Sequence, residues 1–385
     1  MRIGLDLTGI EAEPVGTATY MRGLARGLAG LRTQTDFRAY VTFEDRHLLD
    51  GRLGNRFGVS VAALRPRPVR LCFEQAALPL AARAGRFDVL HSPGPHMPLL
   101  RGAAGHVLTV HDITPITMPA VHSRLRSSRP YRRMMLASLR RADRLIVPSR
   151  FVAERIRQRL PQLDERIRVI PWGIDDRFSP AAAAGADQVL RRHGIRRPYL
   201  LYVGKLEPRK NLTTLLGSYL ELLGRRAVDA DLVLAGPRGW GSAELDRLLA
   251  RAPAGRVHLP GYVPDSDLPA LYAAASAFVY PSLEEGFGFP PLEAMASGVP
   301  TISTSGSSLA ENLEGAAELV AADDPAGLRD AVERVLGDQR LRDRLSEAGS
   351  RRAGRFRWDR CAREHLAVYE ELLGGISPRQ DAARR

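Results

Sequence analysis

Short apolar runs, each closed by Gly, Pro or Ser, alternate along this chain with stretches whose apolar residues recur every three to four positions. In the first half the runs RIGLDL, FRAYVTF, VSVAAL, DVLHS, HVLTV, RLIVPS and IRVIPWG predict strands. Helices are predicted over Tyr20–Leu31, Glu74–Ala84, Tyr131–Ala142 and Arg150–Leu160. Strands that alternate with helices predict a parallel sheet covered on both faces, because a parallel neighbour can be reached only by a long crossover. At Ser179 the rhythm breaks into SPAAAAGAD, which reads as a linker. It then resumes: YLLYVGKL, ADLVLAG, RVHLPGYV, SAFVYPS and VPTISTS predict five strands. Helices follow near Thr213–Leu223, Ala243–Ala250, Asp267–Ala274, Pro291–Ser297 and Pro325–Leu336. The expected fold class is α/β, with two doubly wound, Rossmann-like domains over 1–180 and 181–355. The ligand is expected in a central cleft, at the carboxyl ends of the strands. Residues 374–385 read as a disordered tail.

Composition narrows the classes. With 44% hydrophobic and 26% charged residues in 385, and no apolar run near the 18 to 20 residues of a membrane span, a transmembrane protein and a disordered chain are both disfavoured. Cys72 and Cys361 have neither metal-ligand spacing nor disulfide-scaffold density, which suits a reducing, cytoplasmic setting. The opening MRIGLDLTGI lacks the apolar core and cleavage site of a secretory signal. Net charge is +13, and all of it lies early: residues 1–180 carry 29 Arg against 16 acidic residues, and the remainder balances. A one-sided basic field suits an anionic partner, although an Arg-rich composition also solubilises an Ala-rich protein. Of 56 basic residues only Lys205 and Lys210 are lysine, and they share one segment.

Four segments can carry chemistry. In YPSLEEGFGFPPLEAMASGVPTI, Tyr280–Ile302, a strand should end near Pro281, and Pro290 and Pro291 should open a helix. Such a helix start favours an anion, and Gly286 and Gly288 allow close backbone approach. Glu285 then sits on the loop and Glu293 inside the helix, so the two carboxylates come from different elements, and one can accept from both hydroxyls of a vicinal diol. In LLYVGKLEPRKNL, a strand ending at Gly204 delivers Lys205, Arg209 and Lys210 to its carboxyl end, a pyrophosphate clamp. In EPVGTATYMRGLARGLA, Gly16 precedes a helix; in VLTVHDITP, His111 and Asp112 follow a strand. The bland readings are a capped surface helix, a solvated basic loop, an ordinary strand-to-helix turn and a structural histidine.

Together these segments resemble the GT-B glycosyltransferases of the large retaining family four, in the branch with bacterial mannosyltransferases of polysaccharide assembly. The resemblance covers nearly the whole chain: the helix at Gly16, TVHDITP, VPSRFVAERI, VIPWGID, YVGKLEPRKNL, LPGYVPDSDLPALYAAA and the Glu-x7-Glu element Glu285–Glu293. FRWDRCAREHLAVYEELL is similar to the family's last helix, expected over 356–373 to cross back to the first domain. It implies that Arg209, Lys210 and Lys205 bind the donor diphosphate and that Glu293 binds the ribose. Glu285 would contact the donor sugar or phosphate, and Gly286, Phe287 and Gly288 would give backbone amides. Val263 would line the base pocket, and His111 would hydrogen-bond the donor sugar near the reacting centre. Ala18 stands where a second glycine is common, and Ala310 where proline is frequent.

The expected activity is hexosyl transfer, mannosyl or glucosyl, from a nucleotide diphosphate sugar to a hydroxyl of a glycan, lipid-linked or natural-product acceptor. GDP-mannose is the favoured donor through the nearest branch alone. The clamp would stabilise charge developing on the leaving diphosphate, so no metal or other cofactor is expected, and no DxD dyad is present in the phosphate loops. The segment RLRSSRPYRRMMLASLRRADR, with eight arginines and one acid, suggests a basic amphipathic surface for an anionic membrane or a lipid-pyrophosphate acceptor, against a merely solvated face. Two rivals stay open. A nucleotide-sugar 2-epimerase would bind the same diphosphate, whereas a non-enzymatic nucleic-acid binder would explain the charge but leave the acidic pair idle and lacks interleaved aromatics. No nucleic-acid partner is therefore expected.

Overall fold

The computed structural model describes residues 1–9, 16–42, 57–62, 67–103, 105–123, 125–241 and 243–374. It divides into two compact units. Unit 1 comprises Met1–Pro119, Arg124–Gly173 and Arg357–Arg385; unit 2 comprises Ala120–Ser123 and Ile174–Phe356. The expected tail beyond residue 374 and the loop just before Gly16 lie outside the described residues.

In unit 1 each of the seven apolar runs forms a strand: β1 Arg2–Asp6, β2 Asp36–Thr42, β3 Phe57–Ala62, β4 Val89–Ser92, β5 Gly105–Thr109, β6 Arg144–Val147 and β7 Ile167–Val169. All pair in parallel, in the order β3-β2-β1-β4-β5-β6-β7. Strands β4 and β5 are buried at every residue, as a sheet covered on both faces requires. The order reverses at β1, so the loops after β1 and β4 part there and leave a crevice at the carboxyl edge. One core cluster joins Leu108 and Val110, Leu145 and Val147 of the sheet to Met135 and Leu139 of the helix Arg129–Arg141 and to Val152 and Ile156 of the helix Arg150–Arg159. Of the apolar residues in the basic segment, Met135 and Leu139 point into the core while Leu125 stays exposed, and arginines line the outer face of the helix.

The last helix, Trp358–Gly374, packs in unit 1 against the helix Gly16–Ala29. A buried hydrogen-bond chain ties them together. Nδ1 of His365 donates to the carbonyl of Cys361 at 2.7 Å. Nε2 of His365 must then accept, from the Tyr20 hydroxyl at 2.7 Å. Tyr20 in turn accepts from Thr109 at 2.8 Å, Thr109 from Nε2 of His91 at 2.8 Å, and Nδ1 of His91 from Tyr369 at 2.7 Å. One carbonyl fixes the direction of every proton in the chain. Burial lowers the pKa of both histidines, with His365 brought down to about 4, so both stay neutral.

Unit 2 has six parallel strands: β8 Tyr199–Val203, β9 Asp231–Ala235, β10 Val257–Gly261, β11 Ala277–Tyr280, β12 Thr301–Thr304 and β13 Glu318–Val320, in the order β10-β9-β8-β11-β12-β13. The first five are those the apolar runs predict. The sixth, β13, has three half-buried residues at the sheet edge, too few to show a period. Tyr202 stacks on Tyr280 across the β8–β11 pair, with ring centroids 5.7 Å apart. The stretch read as a linker is built into the unit: Pro180–Gly185 is a 3-10 helix, and Ala186 and Val189 of the helix Ala186–His193 pack on Ala270. The change of unit falls at Gly173–Ile174 instead. Small side chains look like a spacer in sequence, but in the fold they allow close packing. The helix Gln339–Ala353, not among those predicted, buries Leu341, Leu345, Gly349 and Ala353 at four-residue steps. Among the described residues, no helix is long and apolar enough to cross a membrane.

Candidate active site

The reversal of strand order in unit 2 lies at β8, so the loops after β8 and β11 flank the crevice of that sheet. The loop after β8 supplies Lys205, Arg209 and Lys210; the loop after β11 supplies Ser282 and Glu285. Oε1 of Glu285 accepts from Nζ of Lys210 at 2.6 Å, from Ser282 at 2.6 Å and from Tyr280 at 3.1 Å. Its Oε2 lies 3.0 Å from Arg209, whose guanidinium also donates to the Glu284 carbonyl at 2.6 Å and lies 3.4 Å from Glu207. Lys210 donates further to the Tyr280 hydroxyl at 2.7 Å.

Burial alone would raise the Glu285 pKa, but Arg209 and Lys210 reverse this and hold it at about 2. Lys210 is shifted downward, first by burial and then by Arg209, while Glu285 pulls the other way. The two directions agree once burial and neighbours are counted: the carboxylate faces two cations that outweigh its burial, whereas for the ammonium burial and Arg209 outweigh the opposing pull of Glu285 and Glu207. Glu285, expected at the donor sugar or phosphate, is here the shared counter-ion of Arg209 and Lys210. Lys205 stands apart, half-buried, with its ammonium 5.2 Å from the centre of the Trp240 ring. Trp240 was not among the expected site residues. A single aromatic in the Gly-rich GPRGWG loop is the only signal the sequence offers for it.

After Glu285 the chain passes through Gly286, Phe287 and Gly288, all buried, into the helix Phe289–Ala296. Gly288 has φ 89°, and a Cβ there would come within 2.6 Å of Leu309, so both conformation and space require glycine. The prolines at 290 and 291 carry no N–H; amides that could meet an anion here come from the loop, not from those two helix positions. The Phe287 ring is core, edge-on to Phe289 at 5.0 Å and to Phe356 at 5.6 Å.

Glu293, one turn into this helix, accepts from the Tyr272 hydroxyl at 3.0 Å. Burial pushes its pKa up to about 7, with Asp265 and Asp175 adding to the rise while the Tyr272 hydrogen bond and Arg177 oppose it. The two glutamates of the Glu-x7-Glu element therefore differ: Glu285 is ionised, and Glu293 is poised near neutrality. Val263, in the turn between β10 and the helix Leu268–Ala273, is buried.

In unit 1, His111 follows β5 at the sheet's carboxyl edge. Its Nε2 lies 2.8 Å from the Pro93 carbonyl, and because a carbonyl only accepts, Nε2 carries the proton and Nδ1 the lone pair. Tyr20 and Trp172 pack edge-on against the ring at 5.2 and 4.9 Å, and burial lowers its pKa. His111 lines a pocket with Asp112, Arg126, Tyr131 and Thr17, floored by Leu108 and Met135. Gly16 begins the helix Gly16–Ala29 and is exposed. A second polar group, not foreseen, lies after β1: Thr8 bridges Asp6 at 2.7 Å and Glu74 at 3.2 Å. Burial, with Asp6 beside it, pushes Glu74 up to about 7.

Residues 14–178 match the family described as Glycosyltransferase Family 4, and residues 189–352 that described as Glycosyl transferases group 1. O-antigen chain mannosyltransferase B of Escherichia coli is 33% identical over 74% of this chain and 74% of its own. The chain belongs to glycosyltransferase family four. This glycosyltransferase is also 29% identical to the D-inositol 3-phosphate glycosyltransferase of Salinispora tropica, over 93% of this chain and 81% of that protein. The fold is that of GT-B enzymes. Sucrose-phosphate synthase from Thermosynechococcus elongatus superposes with a TM-score of 0.75 at 21% identity, covering 97% of this chain and 99% of its own. Anabaena HepE, solved with UDP and glucose, gives 0.73 at 18%, covering 98% and 99%.

Proposed function

We propose that this glycosyltransferase moves a hexosyl group, mannosyl by preference, from a nucleotide diphosphate sugar to an acceptor hydroxyl, with retention of configuration and without a metal ion. One observation carries the reading: β8 and β11 are neighbours at the reversal of strand order, which brings Arg209 and Lys210, from the loop that also carries Lys205, against Glu285, whose loop leads into the helix bearing Glu293. Unit 2 takes the donor. Lys205, Arg209 and Lys210 face its diphosphate, the Gly286–Gly288 amides assist, Glu293 accepts from the ribose hydroxyls and Val263 lines the base pocket. As the anomeric C–O bond breaks, its electron pair leaves with the diphosphate, and fixed positive groups stabilise that charge without reorganising. The oxygen that receives the pair is then basic enough to take the proton of the incoming hydroxyl, on the same face of the sugar. Unit 1 takes the acceptor, a glycan, lipid-linked or small-molecule hydroxyl. Its neutral His111 offers the Nδ1 lone pair to a sugar hydroxyl.

GDP-mannose is the donor supported by the relationship to a mannosyltransferase of O-antigen chains; UDP-glucose is the competing choice, favoured by the HepE complexes. The arginines on the outer face of the helix Arg129–Arg141 support loose, salt-sensitive contact with an anionic, cytoplasmic membrane face. The test is a panel of GDP-, UDP-, ADP- and dTDP-sugars with mannose- and inositol-bearing acceptors, with and without EDTA. Nucleoside diphosphate release that needs acceptor and survives EDTA is expected. Failure of every nucleotide sugar to bind would refute the reading, and a new nucleotide sugar formed without acceptor would indicate an epimerase.

A further inference from the structure

We propose that Trp240 is a positioning residue for the donor diphosphate, its indole face holding the Lys205 ammonium ready for the anion. This rests on the diphosphate-binding reading of the loop after β8.

Arg209 and Lys210 are already fixed by carboxylates, Arg209 by Glu285 and Glu207 and Lys210 by Glu285. Lys205 is not. Among the described residues no carboxylate lies within ion-pair distance of its ammonium, and the partner in place is the Trp240 ring, 5.2 Å away at its centre, well inside the range of a cation–π contact. A ring suits the purpose better than a carboxylate. It restrains a flexible four-carbon side chain without cancelling its charge, so the ammonium keeps its full attraction for an anion, and the entropy cost of fixing it is met before the ligand arrives.

The backbone shows that the ring is delivered there by construction. The loops after β8 and β9 continue the ladder beyond the strands. Leu206 donates to the Pro237 carbonyl at 3.0 Å, and Gly239 donates to the Leu206 carbonyl at 2.9 Å. A Cβ on Gly239 would lie 2.6 Å from that Leu206 oxygen, and one on Gly241 would lie 2.7 Å from Pro208. Only glycines on both sides of Trp240 let the two loops approach this closely. The indole N–H is buried and, among the described residues, has no acceptor. A tryptophan kept for its hydrogen bond would have one; what Trp240 does have is a cation over its face.

The test is a double-mutant cycle with Lys205→Met and Trp240→Leu, reading Kd for UDP and for GDP by isothermal titration calorimetry, with Trp240→Phe as the conservative variant. Trp240→Leu should weaken binding by about three- to thirtyfold, Trp240→Phe should recover most of that loss, and Trp240→Leu should add nothing in the Lys205→Met background. Three results overturn the proposal: binding by Trp240→Leu as tight as wild type, independent multiplicative losses in the cycle, or equal losses in the Phe and Leu variants. If Trp240→Leu does not fold, Trp240→Phe with Lys205→Met carries the cycle, with a smaller loss that must still vanish when lysine is absent. Wild-type protein that binds neither nucleotide refutes the donor-site reading itself, and that outcome is distinct from the other three.

Discussion

Donor affinity should rise with pH through neutrality, and Glu293 should be the cause. Its pKa is about 7 because it is buried and flanked by Asp265 and Asp175. Two ribose hydroxyls donate well to a carboxylate and poorly to a carboxylic acid, so binding selects the ionised form. With a pKa near 7, roughly a tenth of the molecules are ionised at pH 6 and about nine tenths at pH 8. Apparent affinity scales with the competent fraction, so Kd should fall about tenfold between these values. The sign follows from linkage: binding lowers the pKa, so protons leave on binding, and affinity is lost as pH drops below 7. A nucleotide sugar is the correct probe, because its diphosphate has no ionisation in this range, whereas a free nucleoside diphosphate does. Calorimetry in buffers of different ionisation enthalpy should count about half a proton released per donor bound at pH 7. Glu293→Gln should bind about tenfold or more weakly above pH 7, having lost a charge-assisted pair, and should show a flat profile. A wild-type Kd that is constant from pH 6 to 8, or an identical slope in Glu293→Gln, would refute the reasoning.

Removing one member of the buried ion cluster should cost more than removing a charge pair. Lys210→Met leaves Glu285 with half its compensation, and a loss of about 3 kcal/mol in denaturant unfolding is expected, with much of it recovered in Lys210→Met/Glu285→Gln; equal stability of the single and double variants would contradict this. Glu74 has a pKa raised from 4.5 to about 7, so its ionisation opposes folding: the native state is favoured below pH 4.5, and that advantage disappears as pH rises through 7. Glu74→Gln should therefore gain stability relative to wild type by up to about 3 kcal/mol at pH 8, and a difference that does not change between pH 4 and pH 8 would count against it. Gly23→Ala puts a Cβ 2.1 Å from the Trp358 ring; overpacking should cost about 1–3 kcal/mol, and hydrogen exchange should rise in the helix Trp358–Gly374, whereas unchanged protection there would show that the helix docks otherwise.

The fold was legible because its strands are short apolar runs bounded by turn residues, and a parallel sheet buries such runs on both faces. Where a segment lacked that contrast, sequence failed: β13 has three half-buried residues, and Ala186–His193 follows directly on an alanine run that reads as a spacer. The site divides along another line. Lys205, Arg209, Lys210 and the Glu-x7-Glu element were legible as local patterns. Their states were not, because those depend on partners far along the chain: Glu285 meets Lys210 across 75 positions and Tyr272 meets Glu293 across 21. A count of three cations therefore overstates the charge available to a ligand. The adjacency of β8 and β11 places Glu285 against Arg209 and Lys210, and Glu207 meets Arg209 within the loop after β8, which leaves Lys205 as the cation held by a ring and not by a carboxylate. Such an arrangement divides the labour physically. The buried pairs hold the two loops in register, since breaking one strands a charge, while the remaining ammonium retains the electrostatic reach to meet an arriving diphosphate. Losing Lys205 should therefore change affinity with little effect on folding, whereas losing Lys210 should change both.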